Sequence, residues 1–152
     1  MNGKQILITG ATNGIGLAAA EALAALGANV ALVGRNETRT KIAAAQVRAA
    51  AGKGATVATF IADLSSRTAV RKLASAVLTR YPKLDVLVNN AGAMYTTRQL
   101  TEDGFELTWA VNHLAPFLLT TLLLDRLKAS PRRASSPRRR KPIRAGTSPS
   151  TT

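Results

Sequence analysis

The sequence predicts an α/β fold, a doubly wound parallel sheet of about four strands with flanking helices, and three observations lead to it. Four short runs are apolar throughout instead of alternating, which marks strands buried on both faces. Segments with helical periodicity separate and follow these runs, so strands and helices alternate. A glycine-rich turn joins the first strand to the first helix. At 152 residues the chain has length for one compact core.

The elements follow in order. Residues 5–9, Gln-Ile-Leu-Ile-Thr, form the first strand. Ile15, Leu17, Ala18, Ala22, Leu23 and Leu26 recur near helical spacing, so they are expected to form the buried face of the first helix, which Gly27 ends. Val30 to Val33 make the second strand, closed by Gly34. The alanine-rich residues 37–51 suit a helix that stops at Gly52. Thr56 to Ile61 are the third strand. Ser65 or Ser66 can cap the next helix, whose face is Val70, Leu73, Ala74, Val77, Leu78 and Tyr81, with Pro82 beyond it. Leu84 to Val88 are the fourth strand. Residues 103–128 read as a long helix with a kink expected at Pro116.

The formal charge of +13 raises nucleic-acid binding, but its distribution argues against that class. Residues 130–152 hold seven Lys or Arg and no acid, while the first 129 carry 14 basic and 8 acidic side chains, a net of +6. No specific nucleic-acid partner is expected. The chain has no cysteine, which excludes disulfides and thiolate metal sites, and its single histidine makes a metal centre unexpected. The start shows no secretory pattern. The apolar run Leu114 to Leu124 is interrupted by Pro116 and two threonines and reads as too short to span a bilayer. A cytoplasmic protein is the expectation. Residues 1–129 therefore read as the folded domain and 130–152, rich in Arg, Ser and Pro, as a disordered basic tail.

The chemistry is carried first by Thr9-Gly10-Ala11-Thr12-Asn13-Gly14-Ile15-Gly16, at the first strand-to-helix turn. Glycines there allow a tight bend and let backbone N–H groups approach a pyrophosphate at the positive end of a helix. An ordinary Gly-rich turn is the bland alternative. Three later segments join it: Asp63-Leu64 after the third strand, Asn89-Asn90-Ala91-Gly92 after the fourth, and Asn112 within Val111-Asn112-His113-Leu114. In this order the four motifs resemble the short-chain dehydrogenase/reductase family over residues 3 to about 129, and Asn112 to Thr120 looks most like its retinol-dehydrogenase-like branch.

The resemblance implies a Rossmann-type cofactor domain, present in part, and hydride transfer between a nicotinamide and an alcohol or carbonyl substrate. It implies cofactor contacts at Gly10, Thr12, Asn13, Gly14, Ile15, Gly16, Asp63, Leu64, Asn90, Ala91 and Gly92, and a place for Asn112 in the catalytic tetrad. Arg35 and Asn36 follow the second strand where an enzyme preferring NAD would have an acid. A guanidinium there suits a 2′-phosphate, so NADP is the expected cofactor, with NAD the alternative. Asn13 departs from this pattern, because many NADP-preferring members carry a basic residue there. Asp63 could instead cap its own loop, and Asn112 could be a structural amide. His113 reads as a packing or surface residue.

The family's Ser and Tyr-x-x-x-Lys have no counterpart in this sequence. Tyr81 is followed four residues on by Asp85, and Tyr95 by Gln99. Leu127-Lys128-Ala129 runs directly into Ser130-Pro131-Arg132-Arg133 without a fifth strand. Ser, Pro, Arg, Ala, Thr and Gly supply 21 of the last 23 residues, the composition expected of G+C-rich coding sequence read out of frame. The expectation is a frameshift near codon 130, a catalytically deficient chain, and self-association through an open edge of the sheet. Two other readings are a cofactor-binding remnant without turnover and a polyanion-binding protein acting through its basic tail.

Overall fold

The computed structural model describes residues 1–130. Four parallel strands, β1 (Gln5–Thr9), β2 (Asn29–Gly34), β3 (Val57–Ile61) and β4 (Val86–Val88), lie in the order β3-β2-β1-β4. Both sheet neighbours of β1 run parallel to it, with Leu7 beside Ala31 on one side and Leu87 on the other. Helices α1 (Gly14–Ala25), α2 (Glu37–Ala50) and α3 (Arg67–Arg80) follow the first three strands. The long helix α4 (Leu107–Ala129) follows β4.

Alternation within each strand divides the core in two. Ile6, Ile8, Val30 and Leu32 pack with Ala20 and Ala24 of α1 and Ala43, Ala44 and Val47 of α2. Leu7, Ala31 and Val33 face the other way, onto Val70, Leu73 and Val77 of α3 and Leu119 and Leu123 of α4. A strand whose every side chain is buried cannot show a polar face, and that is why these runs are apolar throughout.

The helix caps follow ordinary chemistry. Asn36 accepts the Arg39 N–H at 2.9 Å at the start of α2, and the Ser66 hydroxyl, not that of Ser65, accepts the Ala69 N–H at 3.3 Å at the start of α3. β4 is shorter than the run that predicts it. Leu84 is fully buried ahead of the strand, and the Asp85 N–H donates to Gln5 O at 2.9 Å.

Two expectations are corrected. The buried line of α1 is Gly16, Ala20 and Ala24, whereas Ala18 and Ala22 are exposed, Leu26 is 60% exposed and Ile15 is 84% exposed. The helix seats closely on the sheet, so its smallest residues face inward, with Leu17 and Leu23 packed at the margins of that contact. The long helix begins at Leu107 instead of residue 103, after a turn in which Leu100 bridges Glu106. Its irregularity lies at Ala110–Leu114, a π-helical turn in which the Ala115 N–H reaches back to Ala110 O. Pro116 sits just beyond, in the first turn of the regular segment Ala115–Ala129, where its missing N–H is tolerated.

Taken whole, α4 is 23 residues and is long and apolar enough by length and composition to cross a membrane, which the shorter run Leu114 to Leu124 is not. In the fold Ala115, Leu119 and Leu123 are buried in the core shared with α3. Ser130, placed with the tail by composition, is buried, and its hydroxyl donates to Leu84 O at 2.6 Å. The remainder of the expected basic tail, 131–152, lies outside the described residues.

Candidate functional site

The turn between β1 and α1 is shaped by contacts that exclude side chains. Gly10 has φ +64°, a left-handed conformation open to glycine, and a Cβ there would stand 2.7 Å from the Ala91 Cα. A Cβ on Gly16 would collide with Gly10 O and with the Asn90 amide nitrogen. α1 therefore starts directly against the end of β4. Asn13 occupies its N-cap without a side-chain capping bond, so its side chain does not take up the first-turn N–H groups of Gly14, Ile15 and Gly16, residues that line the cleft. Such a terminus is electropositive and suits a phosphate.

Neutral groups lock the carboxyl ends of β1 and β4 together. The Asn90 side-chain amide donates to Thr9 O at 3.1 Å and to Gly10 O at 3.0 Å. In return the Thr9 hydroxyl oxygen accepts the N–H groups of Asn90 and Ala91, both at 3.1 Å. Asn89 donates instead to the Thr120 hydroxyl at 3.0 Å, tying the strand end to α4. The crevice that results lies beyond the carboxyl ends of the strands, between neighbours whose connections diverge, where open α/β sheets bind ligands.

That crevice is a cavity of about 450 Å³. Gly10, Thr12, Asn13, Gly14, Ile15, Gly16, Arg35, Asn36, Asp63, Leu64, Asn90, Ala91 and Gly92 all line it, bringing together the motifs found on four separate stretches of sequence. Exposure of Ile15 has its reason here, because the residue belongs to the cavity wall and not to the core. Val33, Gly34, Arg39, Ala62, Ala93, Tyr95 and Val111 complete the lining. Most are neighbours of motif residues that sequence reasoning did not single out. Arg39 had a legible signal: it lies in the first turn of the helix after β2, four residues beyond Arg35.

Asp63 does two things at once. It lines the cavity, and its Oδ1 accepts the N–H of Ser65 at 2.9 Å and the Ser65 hydroxyl at 2.8 Å, which is the loop-capping role. Asn112 is not among the lining residues. Its amide clasps the Ala93 backbone, accepting from N–H and donating to C=O at 2.8 Å each, and so fixes the loop after β4 against the π-helical turn. One turn on, Pro116 has no N–H to give to the Asn112 carbonyl. Glu106 starts this helix by accepting the N–H groups of Thr108 and Trp109, both at 2.8 Å, and these bonds hold its carboxyl below the usual range.

The lining contains one tyrosine, Tyr95, and no lysine. Tyr81 ends α3 and packs edge-on against Phe60, ring centroids 6.1 Å apart, in the core and away from the crevice. The site can hold and orient a dinucleotide, but it presents no tyrosine–lysine pair for proton transfer among the described residues.

Comparison with known proteins agrees with this geometry. Residues 4–135 match the family model for short chain dehydrogenase. A Streptomyces sp. (strain C5) protein, DnrU, whose name assigns it provisionally to daunorubicin C-13 ketoreduction, is 48% identical over 82% of this chain and 43% of its own length. Mouse retinol dehydrogenase 14 is 44% identical over 86% of this chain and 42% of its own. Among solved structures, the Pseudomonas aeruginosa RhlG/NADP active-site complex superposes with a TM-score of 0.75 at 30% identity, over 88% of this chain and 51% of that one. The chain thus spans less than half the length of the curated relatives it matches. Its glycine turn, its sheet order and this match place it in one lineage: the chain belongs to the short-chain dehydrogenase/reductase family.

Proposed function

We propose that this chain is the NADP(H)-binding part of an oxidoreductase that moves a hydride between the nicotinamide and an alcohol or carbonyl carbon, and that by itself it binds the cofactor without turning over substrate. One observation carries the reading. The glycine turn at Gly10–Gly16, the start of α1 and Arg35 line a single cavity, so a pyrophosphate and a 2′-phosphate each have a fitting wall. NADP in a solved relative, and Arg35-Asn36 directly after β2 where an enzyme preferring NAD would have an acid, favour NADP over NAD.

The residues divide the work. The turn's N–H groups take the pyrophosphate, Arg35 and Asn36 the adenosine ribose, Asp63 and Leu64 the adenine, and Asn90, Ala91 and Gly92 the floor toward the nicotinamide. Asn112 is a positioning residue that holds the β4 loop in place. Hydride chemistry belongs to the cofactor. Proton transfer would need a tyrosine beside a lysine, which this sequence lacks, and loss of a positioned acid/base costs about 10²- to 10⁴-fold. Retinol-like or other lipophilic alcohols and ketones are the proposed substrate class, on the strength of the relatives' names.

The test is a fluorescence titration of the 152-residue chain with NADPH and NADH, beside a turnover assay. Saturable binding, tighter for NADPH, with no turnover above background is expected. A folded chain with affinity for neither dinucleotide overturns the proposal. Self-association through β4 belongs to the same reading, because its outer edge pairs with no strand among the described residues. A monomer in sedimentation at high concentration removes that part.

A further inference from the structure

We propose that Asn13-Gly14, in the turn between β1 and α1, is a site of spontaneous deamidation, and that conversion of Asn13 to an acid closes the cleft to a dinucleotide. The consequence rests on the cofactor reading above, whereas the chemistry stands on this chain's own geometry.

Asparagine is a thermolabile residue, and a glycine after it removes the side chain that would hinder attack by the next amide nitrogen. The sequence holds two such pairs, Asn2-Gly3 and Asn13-Gly14, and both are exposed. They differ in what restrains them. At the first, the Gly3 N–H donates to Gly27 O at 3.0 Å, and the Asn2 side chain lies against Gly27. At the second, the Asn13 side chain makes no capping bond, and the Gly14 N–H has no backbone acceptor among the described residues. A Cβ on Gly14 would meet nothing within 4 Å, so that side of the peptide is open. The other asparagines are held, because Asn29, Asn36, Asn89, Asn90 and Asn112 each engage a side-chain hydrogen bond.

The Gly14 amide nitrogen, on losing its proton, attacks the Asn13 Cγ. A new N–C bond closes a cyclic imide as the Cγ–Nδ2 bond breaks, and ammonia carries the proton away. Water then opens the ring at either carbonyl, leaving an α-linked aspartate or a β-linked isoaspartate. Nothing is oxidised or reduced. The fold favours the first step, since Gly14 is the first residue of α1 and the positive end of a helix stabilises an amide anion.

The product places a negative charge where the cleft should accept one. A carboxylate at the N-cap can take up the first-turn N–H groups that the Asn13 side chain leaves alone, so it stabilises the helix while repelling a pyrophosphate. Isoaspartate instead adds a backbone methylene to a turn in which Gly10 and Gly16 have no room for even a Cβ. The α-linked product therefore binds less and unfolds no more easily, a pairing that general damage does not produce.

The test ages the full chain in mildly alkaline buffer, with and without NADPH, and follows Asn13 and Asn2 by peptide mass mapping. Asn13 should convert well ahead of Asn2, and the fraction of chains that bind NADPH should fall in step with it. NADPH in the buffer should slow conversion at Asn13 and leave Asn2 unchanged. Asn13→Gln, whose longer side chain closes the ring far more slowly, should keep its starting affinity throughout. Fresh Asn13→Asp should bind NADPH about tenfold or more weakly than wild type, at equal or higher stability in urea. Asn2 converting as fast as Asn13, or Asn13→Asp binding NADPH as tightly as wild type, overturns the inference. A fresh wild-type chain that binds neither dinucleotide defeats the cofactor reading and the closing of the cleft with it, while conversion at Asn13 ahead of Asn2 still establishes the site.

Discussion

At their amino ends β1 and β4 are joined by charge, and at their carboxyl ends by neutral amides and hydroxyls. At the base, Asp85 is almost wholly buried and takes Lys4 and Lys83 on one oxygen, at 2.8 and 3.1 Å, and the Gln5 N–H on the other at 2.9 Å. Every charge there is answered by a protein group. At the rim the Asn90 and Thr9 lattice carries no formal charge, and the cations of the cleft, Arg35 and Arg39, have no ion-pair partner among the described residues. The difference separates two uses of electrostatics. At the base opposite charges meet within the protein, whereas on the proposed reading the cations of the cleft wait for a ligand.

Substitutions at the two ends should therefore have different signatures. The largest effect is expected for Gly16→Ala, whose new methyl meets the Gly10 carbonyl and the Asn90 amide. Because the backbone itself must move, the cost should be about 3 kcal/mol in urea unfolding, with NADPH affinity reduced by more than tenfold. Retained affinity together with retained stability would show that the two glycines are not in contact.

Next comes Asp85→Asn. Breaking a buried pair costs about 3–5 kcal/mol, but both lysines are partly exposed and can rehydrate, so about 2 kcal/mol is expected. NADPH affinity should not change. Acidification supplies a second readout. Burial works to raise the Asp85 carboxyl, yet hydrogen bonds from Lys4, Gln5 and Lys83 outweigh it and hold the pKa below the ordinary value. A depressed folded pKa means the clamp contributes fully above the unfolded value of about 3.9 and is lost as pH falls through the lower folded value. Wild type should thus lose more stability than Asp85→Asn below about pH 4, and parallel acid curves would contradict the clamp.

The smallest effect is expected for Asn90→Ala, which strips two hydrogen bonds from Thr9 O and Gly10 O and should cost about 1.5 kcal/mol. Here stability and NADPH affinity should fall together, since the same amide shapes the phosphate turn. If Asn90→Ala behaved like Asp85→Asn, the contrast between the two ends would dissolve.

The motifs were legible because each has a local reason for its residues. Gly10 needs a positive φ and Gly16 a bare Cα, so the turn can be read as a string. Asn36 and Ser66 sit at helix starts because their side chains bond the next turn. Other features were hidden. Ile15 fits the helical apolar rhythm as well as a core residue does, and periodicity cannot distinguish a wall that faces the sheet from one that faces a ligand. Pro116 signalled an irregular helix, but the backbone placed the disturbance in the preceding turn, where Asn112 is tied to Ala93. Asp63 was ambiguous between loop cap and cleft residue, and the two prove compatible.

The alternation of buried strands and helices was written into the pattern of apolar runs, since a parallel strand must be hydrophobic on both faces wherever it lies, but the strand order β3-β2-β1-β4 was not. Pairing across long intervals was not. That Lys4 and Lys83 share Asp85, that Asn90 reaches back to Gly10, and that Thr40 closes over Gly34 all depend on how far apart the elements settle once packed. Contact between elements is a property of distance, and periodicity encodes direction only.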